Sequence, residues 1–434
     1  MPHPEKHSAD DVTVDQGRKA GRVVQRAYSR GQRPWRIAAI LAICVLGLHA
    51  MGCEKLLTAK PDPGERFDAP LPGLDNGELG DFQDGHAQFR KAFSIADGLG
   101  PIFNNVSCAS CHSGDGRGRP ENTLTRISRD AVDLAVDLGG PQIQDKCIPG
   151  ATPERLPSGV LVSYRMPPPV FGVGLIEAIT DSSILSHEDP GDSDADGISG
   201  RANMVTPAFY VPGSEPGGPP GPRVGKFGRK ASVSSLLQQT VEAYHQDIGM
   251  TSSYRPVENV NPVASHAAVD PARDPELSDA EIENVMQYMR MLAPPAPGAS
   301  TASRDRGQTL FTSAQCVKCH IPTLHTGPHE IEALANRDVA LYSDLLLHDL
   351  GDGLADNRPD GSADGKEWRT APLWGLRIAR EFLGGQLFLL HDGRAHTVDQ
   401  AIRLHGGEAT AARDAYLALP VEDQAALADF AESR

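Results

Sequence analysis

Hydrophobic positions are most regular in the later part of the chain. Ile282, Val285, Met286, Met289 and Leu292 recur at helical spacing behind Ser278 and Glu281, which form a capping box, so a helix is predicted to close at Leu292. Three more helices are predicted at the end, over Thr397–His405, Ala411–Leu419 and Val421–Glu432. The stretch "RGQTLFTSAQCVKCH" reads as a further helix running into a cysteine turn. Alternating strand patterns are sparse. "APPAPGASTAS" over 293–303 reads as a linker, and the Pro/Gly/Asp-rich stretch before residue 80 as a flexible tether. The expected organisation is a leader over 1–52, a tether over 53–80, a first domain over 81–292 with inserted loops, the linker, and a second domain over 304–434.

One apolar run is of a different kind. Arg30, Arg33 and Arg36 precede "IAAILAICVLGLHAMG" over 37–52, and Cys53 follows. A basic flank, a short apolar run and a small residue before the junction mark an export signal. The run is shorter than the roughly 20 residues of a spanning helix. "AMGC" resembles a lipobox, with Ala50 where Leu is usual, which makes Cys53 the candidate lipidation site and the periplasm, at a membrane, the expected location.

Composition sharpens this picture. The chain of 434 residues carries 44 Gly and 35 Pro and only 5% aromatic residues, so a large buried cofactor would supply apolar bulk that the side chains do not. A formal net charge of -16 argues against nucleic acid as a partner.

Outside the leader and its junction, the cysteines fall into two pairs and Cys147. "CASCH" (Cys108, Cys111, His112) and "CVKCH" (Cys316, Cys319, His320) each have the c-type haem attachment pattern. Two thiols one short turn apart can add to both vinyl groups of one porphyrin and hold the next histidine beneath the iron. Phe103 and Phe311 each sit five residues before the first cysteine, a weak internal repeat. A four-cysteine zinc site would leave both histidines without a reason, and a thioredoxin-like pair would need a βαβ context. The expected cofactors are two covalently attached haem c groups.

At greater length the chain resembles the di-haem oxidoreductase family, which is related to bacterial di-haem cytochrome c peroxidases and MauG-like enzymes. The resemblance is carried by "GLGPIFNNVSCASCHSGDGRG", "FGVGLIEAI", "DADGISGR", "FGRKASVSSLLQQTVEAYHQDIGMTS", "YSDLLLHDLGDGLAD", "EWRTAPLWGL" and "LLHDGRAHTVDQAIRLHGGEA". It implies a mainly α architecture of two cytochrome c-like haem domains with long loops and little β. It also implies a sixth ligand for the haem on His320 at the histidine fourteen residues past His391, which is His405. Asp247 falls where the peroxidases carry a catalytic glutamate, and Glu177 in "GLIEAI" is the reserve candidate. Met166 before Pro167 is a weaker candidate ligand for the haem on His112. Arg229 stands where many relatives have tryptophan, which would leave Trp368 or Trp374 to carry electrons.

"DSDADGISG" places Asp192, Asp194 and Asp196 at alternate positions before Gly197, the front of a calcium loop that lacks its closing glutamate; calcium and a solvated acidic turn both fit. Cys147 reads as a buried free thiol. The resulting expectation is an exported, peroxidase-like di-haem oxidoreductase. Hydrogen peroxide or another small oxidant would be its substrate, and a small redox protein or quinol-linked donor its electron source. The rival is a non-catalytic di-haem electron-transfer cytochrome serving a membrane or metal-uptake system.

Overall fold

The computed structural model describes residues 62–434 apart from 113, 115 and 265–269; the leader and Cys53 lie outside the described residues. Residues 61–434 cluster as one compact unit. The helices that hydrophobic spacing predicts are present among the eleven of the described residues, with bounds set largely by caps. Asp279–Met291 starts at Ser278, whose hydroxyl accepts from the Glu281 amide while the Glu281 carboxylate answers the Ser278 amide. Val398–Leu404 starts at Thr397 by the same kind of side-chain cap, and Thr410–Leu417 and Val421–Glu432 follow.

Two helix pairs organise the unit, and they are built alike. Helix Asn76–Arg90 lies against Asp279–Met291, and helix Ala302–Ser313 lies against Val421–Glu432. Each first helix carries a glycine at the crossing. A Cβ on Gly85 would lie 2.0 Å from the Asn284 carbonyl oxygen and 2.7 Å from Tyr288 Cβ. A Cβ on Gly307 would lie 2.1 Å from the Ala426 carbonyl oxygen and 2.7 Å from Phe430 Cβ. In both pairs the obstructing residues are four apart, and in both a phenylalanine follows the glycine by four: Phe89 and Phe311. Phe89 packs on Tyr288 at 5.3 Å between ring centroids, and Phe311 on Phe430 at 5.4 Å. Each phenylalanine then meets the histidine behind its cysteine pair, Phe89 to His112 at 6.2 Å and Phe311 to His320 at 6.1 Å.

This corrects the internal repeat expected from spacing. Phe103 is not the partner of Phe311, because it lies in strand Ile102–Phe103, paired with Lys146–Cys147, rather than on the incoming helix. The architecture is likewise mixed rather than mainly α. Among the described residues, eleven α-helices are accompanied by ten short strands joined into five two-stranded antiparallel sheets, the longest pairing Leu124–Ser128 with Leu161–Arg165. In chain order each sheet lies between the two helices of one pair, where it ties loops together, which suits a chain rich in Gly and Pro. None of the described helices is long and apolar enough to cross a membrane.

The stretch 62–80, expected as a flexible tether, is held where it is described. Phe67 is 1% exposed, stacked on Phe171 at 5.0 Å, and Leu71 N donates to Met291 O at 2.8 Å. The proline-rich stretch 293–303 is also tied down, Ala293 N to Ala69 O at 2.9 Å and Gly298 N to Ser433 O at 2.7 Å. Contacts also cross between the two halves of the chain. Lys230 reaches Asp356 at 2.8 Å, and Thr180 N donates to His325 O at 3.2 Å.

The crossings give a direct test. Gly85→Ala and Gly307→Ala are each expected to destabilise by about 1–3 kcal/mol, because the added methyl meets backbone that cannot turn aside. Gly80→Ala, on the same helix with nothing within 4 Å of its Cβ position, should be neutral or slightly stabilising. Urea denaturation of the three variants measures the difference, and equal effects at Gly80 and Gly85 would refute the crossing argument.

Candidate functional site

Both CxxCH segments form a single tight turn. In the first, helix Cys108–Cys111 is capped by Ser107, whose hydroxyl accepts from Ser110 N at 3.1 Å, and His112 N donates to Cys108 O at 2.9 Å. In the second, the chain enters through Gln315 with a left-handed φ of 66°. There His320 N donates to Cys316 O at 3.0 Å. The backbone hydrogen bond from histidine to first cysteine is therefore the same in both, and it places two thiols and an imidazole on one side of a turn. Burial pushes the Cys108 and Cys316 thiols up to about 12 and Cys111 to about 11.

Each turn opens into its own cavity. The C-terminal cavity is lined by Cys316, Cys319, His320, His405, Trp368 and His348, among others. His320 Nδ1 bonds the Tyr342 carbonyl at 2.9 Å, and His405 Nδ1 bonds the Ala401 carbonyl at 2.7 Å. A carbonyl only accepts, so in both rings Nδ1 carries the hydrogen and Nε2 keeps its lone pair, the arrangement that orients a metal-binding imidazole. Burial lowers the pKa of His320 to about 4 and lowers that of His405 as well, so both rings stay neutral. The structure thus brings together the two histidines that sequence pairs through "HDGR" and a fourteen-residue offset. His391 itself is stacked on Trp368 at 3.8 Å, its ring packed rather than aimed as a ligand.

His348 is a residue of this cavity that sequence reasoning missed. Its Nε2 meets Asp344 Oδ2 at 2.8 Å and its Nδ1 meets Glu408 Oε2 at 2.7 Å, with Cys319 Sγ at 3.7 Å. Burial opposes the charge, but the hydrogen bonds to Asp344, Cys319 and Glu408 more than offset it and hold His348 as an imidazolium. The available signal was the four-residue spacing of Asp344 and His348 within "YSDLLLHDLG".

The N-terminal cavity is lined by Cys108, Cys111, His112, Tyr244, Asp247 and Trp374, among others. Among the described lining residues His112 is its one histidine. Asp247 sits in the wide turn Tyr244–Ile248, which ends at Gly249 with φ 82°. Gln142 Nε2 donates to Asp247 Oδ1. Burial raises the Asp247 pKa to about 6, against the opposing pull of Gln142 and Arg126. A carboxyl poised there can hold or release a proton near neutral pH.

Three expected site residues are engaged in contacts that the sequence did not indicate. Glu177 lines neither cavity: Arg290 Nε meets its Oε2 at 2.7 Å, and its Oε1 caps helix Leu236–Ala243 through Leu236 N at 3.1 Å, so it is a framework carboxylate. Met166 is fully buried with its sulfur 3.2 Å from the Cβ position of Gly393, and it lines neither cavity. Asp196 turns away from Asp192 and Asp194 to pair with Lys318 of the second cysteine turn. The carboxylates that converge within 4.8 Å are those of Asp189, Asp192 and Asp194, and Asp189 is already engaged by Ser193. Cys147 is half-buried, its thiol on the Ala151 carbonyl at 3.3 Å.

The segment Trp368–Trp374 connects the two cavities. Trp368 lines the C-terminal cavity, Trp374 the N-terminal one, and Arg369, Ala371 and Pro372 between them line both. The donor set of each cavity, two thiols and the histidine that follows them within largely apolar walls, fits a covalently held haem. The residues that would hold it are Cys108, Cys111 and His112 in one, and Cys316, Cys319, His320 and His405 in the other.

The family model described as "Di-haem oxidoreductase, putative peroxidase" matches residues 47–139 and 149–434. No curated protein matches the chain. A solved structure of Kuenenia stuttgartiensis hydrazine synthase, pressurised with xenon, is similar at 14% identity and a TM-score of 0.36, covering 96% of this chain and 100% of that one.

Proposed function

Because the chain belongs to the di-haem oxidoreductase family, we propose that it is an exported peroxidase-like enzyme with one haem c in each cavity, attached through Cys108, Cys111, Cys316 and Cys319 and ligated by His112 and His320. The observation that carries this reading is the asymmetry of the two cavities. In one, His320 and His405 share the lining, each with Nδ1 tied to a carbonyl. In the other, His112 shares the lining with Asp247 and no second histidine among the described residues. Ligation on both faces suits electron transfer, whereas an open face beside a proton donor suits chemistry.

Haem, when bound, supplies an iron that exchanges single electrons and can take a small oxidant such as hydrogen peroxide on an open face. Around it, Gln142 occupies Asp247 Oδ1, so Oδ2 is the atom free to hold and move a proton. The segment from Trp368 to Trp374 offers a short covalent path between the cavities. Electrons would enter from a small redox protein or a quinol-linked donor on the His320 side and pass to the His112 side. The basic flank, apolar run and Cys53 support placement in the periplasm on a lipid anchor, and the acidic balance of the chain supports a basic donor.

Absorption and EPR spectra of the as-isolated protein should contain one low-spin and one high-spin haem, the high-spin signal alone being consumed by hydrogen peroxide. His405→Ala should convert the low-spin haem to high-spin without losing either haem. Two low-spin haems indifferent to peroxide, before and after partial reduction, would leave a protein that only conducts electrons.

The pH dependence follows from Asp247. Its folded pKa of about 6 makes the carboxylate available above that value, so peroxide consumption should fall as pH drops through about 6. Asp247→Asn should slow it by about 10²-fold or more and flatten that limb of the profile. An unchanged profile in stopped-flow measurements would remove Asp247 from the proton transfer.

A further inference from the structure

We propose that Arg117, Arg229 and Arg369 form a cationic partition that binds a carboxylate from the group in each cavity, and that the two redox centres are electrostatically tied to one another through it. The inference rests on the two-haem reading above, since haem carries two propionate carboxylates.

The three arginines come from three separate segments, and all three line both cavities. Their hydrogen bonds go to backbone carbonyls. Arg229 donates from Nη2 to Met166 O at 2.8 Å and from Nε to the same oxygen at 3.2 Å. Arg369 donates from Nε to Gly228 O at 3.1 Å, and Arg117 from Nη2 to Phe388 O at 3.4 Å. Among the described residues none of the three has a carboxylate in ion-pair range, and Arg369 Nη1 is buried without a hydrogen-bond partner.

Several other buried cations of this chain are met by carboxylates of its own. Arg165 meets Asp360 at 2.6 Å, Lys230 meets Asp356 at 2.8 Å, and Arg290 meets Glu177 at 2.7 Å. Burying a charge without a counter-charge is strongly unfavourable, so three adjacent guanidinium groups at one wall mark a place where negative charge arrives from outside the polypeptide. Burial first, and then repulsion from Arg117 and Arg369, pulls the Arg229 guanidinium down to about 9, the behaviour of a cation lacking its anion. A guanidinium fork matches a carboxylate with two parallel hydrogen bonds, and its several donors allow one side chain to serve both cavities. Arg229 thus contributes a fixed positive charge to the wall that both cavities share.

A positive charge shared by both cavities disfavours the oxidised, more positive state of each centre and raises both reduction potentials. The test is a spectroelectrochemical titration of purified holoprotein, wild type against Arg229→Gln and Arg229→Lys, with haem counted by the pyridine haemochrome assay. In Arg229→Gln both haems are expected to become easier to oxidise, each reduction equilibrium shifting by about tenfold or more. Arg229→Lys should recover part of both shifts. If two haems are retained and only one potential moves, or neither does, the partition is refuted. If wild type carries no haem, it is the functional reading that fails instead. Should Arg229→Gln not fold, Arg369→Gln must show the same paired shift, and its absence refutes the proposal. Wild-type potentials that follow inorganic phosphate concentration would assign the partition to a free anion rather than to propionate and overturn the inference.

Discussion

The close crossing of helix backbones at Gly85 and Gly307 is the constraint on which the rest depends. At both sites a partner carbonyl occupies the space a side chain would need. That contact fixes the separation of each helix pair and directs Phe89 and Phe311 at Tyr288 and Phe430 and, beyond them, at His112 and His320. The histidine ring is therefore positioned from behind by packing, and from its own turn by one backbone hydrogen bond to the first cysteine. Phe89, Tyr288, Phe311 and Phe430 thereby join one continuous apolar core built mostly of aliphatic side chains.

From that common scaffold the cavities diverge by what faces the histidine. In the C-terminal half, helix Val398–Leu404 ends at His405, and the Ala401 carbonyl one turn back takes the Nδ1 hydrogen. In the N-terminal half, helix Leu236–Ala243 runs on into the wide turn Tyr244–Ile248, which carries Asp247 inward. Widened helical turns recur at functional sites because the extra residue re-aims a side chain without breaking the helix. Burial then sets the chemistry: the same loss of water that keeps His405 neutral raises the pKa of Asp247.

The sequence discloses these features unevenly, and the reason is distance along the chain. Caps and periodicity act within a few residues, so Ser278 with Glu281 and the apolar run to Leu292 mark their helix closely. The two cysteine turns are legible because their geometry is local. The crossing glycines lie over twenty residues before Cys108 but nine before Cys316, so matching by spacing selected Phe103 in place of Phe89. Glu177 is misleading for a similar reason: its buried partner Arg290 lies 113 residues away. Asp196 pairs with Lys318, also remote in sequence, a contact that its alternate spacing with Asp192 and Asp194 does not reveal. The short strands are invisible as patterns because two residues define no alternation.

The electrostatic pattern at the wall between the cavities closes the argument. A protein can stabilise a buried cation with its own carboxylates, and this one does so at Arg165, Lys230 and Arg290. It does not do so at Arg117, Arg229 and Arg369, where backbone carbonyls provide orientation but no charge. Orientation without neutralisation is the property of a binding surface rather than of a structural ion pair. Because the same three side chains line both cavities, whatever charge they accept on one side alters the field on the other. Two centres held on separate helix pairs are thereby made parts of one electrostatic system, and the polypeptide between Trp368 and Trp374 is where that dependence is built.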